Sequence, residues 1–134
     1  MNSKRRIARW IAVSVGALLS AIGALHDVVN IRSVIKAIDR GDIAERLAGQ
    51  LVANVAASGL ALILPGVILL MIAAELERGN RAAARVTLFI ATFLFVIGVA
   101  GYWWQPIPSV FIFSLLGVVL ATPLLVWRKH FLAG

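Results

Sequence analysis

Residues 51–74 read LVANVAASGLALILPGVILLMIAA, 24 positions without one charged side chain. A transmembrane helix needs roughly 20 mainly apolar residues. Inside the bilayer no water satisfies a backbone amide, so such a run must close its hydrogen bonds within a helix. Residues 7–31, 86–104 and 110–127 form three more windows of the same kind, and none alternates polar and apolar residues as a barrel strand does. The expected fold is all-α: a polytopic integral membrane protein, one antiparallel four-transmembrane-helix bundle over residues 1–134, with a long hairpin between helices one and two.

Composition agrees. Hydrophobic residues make up 61% of the chain and charged residues only 14%, against about 45–50% apolar in a soluble domain. A single small water-exposed fold cannot hide that much apolar surface. The net charge of +7 comes from basic residues that flank the apolar runs. They form no broad basic stripe with interleaved aromatics, so nucleic acid is not expected as a partner. There is no cysteine, which excludes disulfides, thiolate metal sites and a cysteine nucleophile.

Basic residues concentrate on the cytoplasmic side of membrane proteins. Lys4, Arg5, Arg6 and Arg9 precede the first window, Arg78, Arg81 and Arg85 lie in the second connection, and Arg128 and Lys129 follow the fourth window. Four alternating crossings put all of these on one side. The other side receives Arg32, Lys36, Arg40 and Arg46, offset by Asp39, Asp42 and Glu45, together with the uncharged connection QPIPS at 105–109. Both termini are therefore expected in the cytoplasm of a multi-pass cell-membrane protein. Trp10 and Trp127 would mark the inner interface and Tyr102, Trp103 and Trp104 the outer one, where amphipathic rings settle. The first window has a weak cleavage-like SAIGA, but its apolar run exceeds a signal-peptide core and reads as a retained anchor.

Between the first two windows, Ile31, Val34, Ile35 and Ile38 recur at helical spacing. Helix one is expected from about Ile7 to Arg40 and helix two from about Ile43 to Leu76, each roughly 50 Å long at 1.5 Å per residue. Gly41 would end the first helix, and Asp42, with Glu45 three places on, would cap the second. Residues 32–46 would either project beyond the bilayer or lie on its outer surface as an interfacial helix. Pro65 and Pro123 are candidate bends.

His26, Asp27 and Asn30 break the apolar run near the outer end of helix one. Counting back from Gly41 sets His26 level with about Ala56 and Asn30 with about Val52. Gln50, Asn54 and Ser58, spaced by four on one face of helix two, then bracket the same depth. Adjacent helical residues point about 100° apart, so His26 and Asp27 are not expected to touch; Arg32 and Arg46 are candidate partners for Asp27. These six residues, His26, Asp27, Asn30, Gln50, Asn54 and Ser58, are the candidate ligand-binding set. In it His26 would relay protons, Asp27 would hold a cation or basic group, and the amides would orient a small-molecule or lipid ligand. The alternative is that they join helices one and two, at about 0.6 kcal/mol per polar contact. Gly16, Ser20, Gly23 and Asp27 form a stripe of mostly small residues on helix one, and Gly49, Ala53, Ala56, Ala57 and Ala61 are its expected counterparts on helix two. Phe89, Phe93, Phe111 and Phe113 of the oilier helices three and four suit lipid or a subunit interface.

No catalytic motif is legible. His26 and His130 fall near opposite ends of the bundle and cannot ligate one haem within a subunit. His26, Asp27 and Asn30 fall short of a zinc set. No cofactor and no metal are expected. Three roles fit, with lipid and either a second copy or other membrane subunits as partners. They are an accessory or scaffold subunit of a membrane complex, an oligomeric small-molecule or ion-coupled transporter using Asp27, and a membrane enzyme acting on a lipid or isoprenoid substrate.

Overall fold

The computed structural model describes residues 3–104 and 106–132. They form α1 (Ser3–Asp39), α2 (Glu45–Arg78), α3 (Arg81–Trp104), α4 (Pro108–Val126) and the single turn α5 (Arg128–Phe131). Among these, α1 to α4 are each long and apolar enough to cross a membrane. The chain is a small all-α, multi-pass membrane protein, and its composition suits it to lipid. Gln105, in the QPIPS connection, lies outside the described residues.

Two glycines close the long helices. Gly41 has φ +75° and Gly79 has φ +79°, a conformation in which a Cβ would be strained. At the first, the Gly41 N–H donates to Ile38 O (2.9 Å) and the Asp42 N–H to Ala37 O (2.9 Å). At the second, the Gly79 N–H donates to Leu76 O (3.0 Å) and the Asn80 N–H to Glu75 O (2.9 Å). Both are Schellman closures, which satisfy the last carbonyls of a helix. The first one also changes the start of α2. Asp42 is held in the turn by its own amide, and its carboxylate accepts from Arg40 Nε at 3.0 Å. It does not cap α2, which begins at Glu45. After Gly79, by contrast, Asn80 Oδ1 accepts from the Ala82 N–H (2.9 Å) and caps α3. α1 continues unbroken to Asp39, with no separate surface helix at 32–39, and α2 runs through Pro65 without a break.

The chain divides into two compact units, residues 16–68 and residues 1–15 with 69–134. The first is the hairpin of α1 and α2. Its contact is built on backbone proximity. A Cβ on Gly23 would stand 2.6 Å from Gly59 O and 3.1 Å from the Ile63 amide nitrogen. A Cβ on Gly66 would stand 2.7 Å from Gly16 O and 2.9 Å from the Ser20 nitrogen. The stripe Gly16, Ser20, Gly23 and Asp27 does face α2. Its counterpart is Gly59, Leu62, Ile63 and Gly66. The expected counterparts Gly49, Ala53, Ala57 and Ala61 are exposed, and Ala56 is half-buried. The reason is rotational: Gly59 and Gly66 are two turns apart, and seating both glycines turns the alanine ridge outward.

The other unit holds a second close pair. Ser114 Oγ on α4 donates to Phe95 O on α3 at 3.0 Å. A Cβ on Gly117 would meet Ala91 O at 2.5 Å and the Phe95 nitrogen at 2.9 Å. Leu94, Leu120 and Leu124 are buried along this pair, with Leu69 and Leu76 of α2 and Ala12 of α1 in the same core. At one end of the unit, Arg5 donates from Nη1 to Arg78 O and from Nη2 to His130 O, both at 3.3 Å. A cation there satisfies carbonyls at two helix ends. Arg9 pairs with Glu77 beside it. Phe89 is 74% exposed and Phe111 42%, as side chains facing lipid or another subunit would be.

Gly23→Ala and Gly117→Ala must each push two backbones apart. Each is expected to cost about 1–3 kcal/mol, read as a lower unfolding midpoint of the detergent-purified protein. Gly49→Ala, with nothing within 4 Å of the added methyl, should show no loss.

Candidate functional site

α1 sets the geometry of His26, Asp27 and Asn30. Asp27 continues the stripe that faces α2, so its carboxylate lies over Gly59, in the space a Cβ there would fill. This approach depends on residue 59 being glycine. His26 leans toward Asp27, with Nδ1 3.4 Å from Asp27 Oδ1. The expectation that these neighbours would not touch is therefore corrected. Backbone vectors diverge, but two χ angles on each side chain bring the tips to the long end of hydrogen-bond range. The Asp27 side chain is 19% exposed and that of His26 37%. Among the described residues neither Arg32 nor Arg46 pairs with Asp27, and His26 is its one ionic neighbour.

Asn30 is half-buried and spends its amide on its own helix, donating from Nδ2 to His26 O at 2.8 Å. Ser58 does the same on α2, donating from Oγ to Asn54 O at 2.9 Å. Gln50, Asn54 and Ser58 are all exposed. The six candidates therefore fall into two groups. His26, Asp27 and Asn30 cluster on α1 against Gly59, whereas Gln50, Asn54 and Ser58 line the outward face of α2. No hydrogen bond joins the two groups. Among the described residues, no group of three or more His, Cys, Asp or Glu side chains is placed to hold a metal ion.

The α1 group sets a carboxylate and an imidazole side by side. The α2 group offers amide donors and acceptors to whatever covers that face. Sequence reasoning missed Gly59, which admits the carboxylate. Its signal was present as the Gly59–Gly66 spacing of seven, two helical turns on one face.

No family model matches the chain, and neither a curated protein nor a solved structure matches it.

Asp27→Asn and Gly59→Ala both disturb the His26 contact, the second by displacing a flexible carboxylate while leaving the backbone in place. Each should move the His26 ring signals in spectra of 15N-histidine-labelled protein, with His130 as reference. Unmoved His26 signals in both variants would mean that the two side chains do not interact.

Proposed function

We propose that this chain is a subunit of a larger membrane assembly and that the outward face of α2 is where another helix packs. The observation that carries this reading is the exposure of Asn54 and Ser58 inside the apolar window 51–74. A polar group left bare in hydrocarbon is unfavourable. Asn54 and Gln50 can both donate and accept, so a neighbouring helix would satisfy them. Gly49, Ala53, Ala57 and Ala61 are exposed on the adjoining ridge at intervals of four. Small residues so spaced let a second backbone come close. The scaffold role thus gains a surface.

A second reading is favoured by Asp27. A half-buried carboxylate whose one ionic neighbour is an imidazole suits an ion-coupled carrier, with the pair loading and releasing a cation or proton. In such a carrier the α2 face would complete the cavity from a second subunit. The distribution of basic residues supports cytoplasmic N- and C-termini in either case.

The chain has no cysteine, so single thiols report without background. Ala57→Cys, labelled with benzophenone maleimide and irradiated in native membranes, should give a covalently linked species, and Leu25→Cys, on exposed α1, should not. The pair Gln50→Leu with Asn54→Leu should lower the assembly's mass in mild detergent. Failure of both results would reject the subunit reading. Reporters fused to either terminus are expected to read cytoplasmic, and an opposite reading at one end would reject four crossings.

A further inference from the structure

The unit containing both termini has a groove that the α2 face and the Asp27 cluster leave unused. It runs along the first four turns of α1, with Val119 of α4 as its facing wall, and has a volume of about 560 Å³. Ile7, Ile11 and Val119 line it and also line an adjoining hollow of about 270 Å³ that continues beside Pro123. The combined space is within the range of small-molecule sites, ≈ 300–1,000 Å³, and its exposed walls are mostly apolar. Among the described residues its one charged lining residue, Arg6, stands at one end beside Ser3, and the hydroxyl of Ser14 lies toward the other.

The basic residues nearby are not equivalent. Arg5 is engaged by two backbone carbonyls, and Arg9 by Glu77. Arg6 is exposed and has no ion pair or hydrogen bond among the described residues. It is thus a free positive charge at the mouth of a mostly apolar groove. Trp10 lies one turn further along, with the Arg9 guanidinium 5.7 Å from its ring centre. A tryptophan flanked by arginine marks the headgroup boundary. From Arg6 to Val15 the helix rises about 13 Å, close to one leaflet's share of a roughly 30 Å hydrocarbon core.

We propose that this groove binds one anionic phospholipid of the surrounding bilayer, its phosphate on Arg6 and one acyl chain along Ile7, Ile11 and Val119. Charge complementarity selects the class. A zwitterionic headgroup would bring its own cation to Arg6 and lose most of the attraction, whereas a net negative headgroup keeps it. Basic pockets beside membrane helices take anionic headgroups on the same physical grounds. The proposal does not depend on the subunit reading, because α1 and α4 form the groove within one chain.

The test is native mass spectrometry of the full-length protein released from vesicles of four parts phosphatidylcholine to one part phosphatidylglycerol. The wild type should retain one phosphatidylglycerol, enriched at least fivefold over its share of the vesicle. Arg6→Gln should bring that enrichment down to the bulk ratio. Arg85→Gln, which removes the same charge from the exposed surface of α3, should leave it intact. Ile11→Trp, filling the groove, should lose the tightly held lipid of either class. Wild-type lipid at the bulk ratio, equal retention by Arg6→Gln, or equal loss in Arg85→Gln would each overturn the proposal. Circular dichroism of each variant separates loss of lipid from loss of fold.

Discussion

Water does not drive membrane helices together, since lipid tails are as apolar as leucine. What remains is dispersion at close range, and dispersion falls away within about an ångström of separation. The structure depends on places where two backbones touch with no side chain between them. Gly23 against Gly59, Gly66 against Gly16 and Ser20, and Gly117 against Ala91 and Phe95 are such places. Ser114 adds one cross-helix hydrogen bond to the last of these seams. The remaining apolar bulk is left to face outward: Met71, Phe89, Trp103 and Trp104 are each at least 74% exposed. In water that distribution would be untenable, and in a bilayer it is the expected one.

The same seams govern the polar residues. Because α1 presents Gly23 and Asp27 on one stripe, seating Gly23 brings the Asp27 carboxylate onto α2, where only a glycine leaves room. Because α2 presents Gly59 and Gly66, its amide residues are rotated away. One rotation thus buries the carboxylate partly and exposes Asn54 and Gln50. The hydroxyls of Ser20 and Ser58 take no part across the α1–α2 seam, since each bonds back to a carbonyl four residues earlier on its own helix. Arg5 plays the complementary part at the other end of α1, where it binds carbonyls of Arg78 and His130 that a helix end leaves open.

Depth proved easier to read than facing. Counting back from Gly41 places residues of α1 and α2 at the same level to within about one turn, because both helices rise at the same rate from one tight turn. Facing is harder, because α2 carries two small-residue stripes and either can seat a partner. The alanine ridge at 53, 57 and 61 has the regular spacing. The glycines at 59 and 66 allow the closer approach, and closer approach yields more contact. Asp42 illustrates a local version of the same difficulty. Its residue type and its spacing to Glu45 fit a cap, but the closure at Gly41 had already claimed its amide.

The sequence alone determined the solvent, the number of crossings, the turn at Gly41 and which residues share a depth. Those follow from run length, charge placement and helical rise, all of them local or additive properties. The tertiary structure alone decided which stripe of α2 meets α1, that His26 reaches Asp27, that Asn54 points outward, and that Arg6 stands free at the end of a groove walled by Val119. Each of those depends on the rotation of one helix about its axis against another. Contacts distant in sequence set that rotation, and the hydrophobic pattern of a uniformly apolar helix does not encode it.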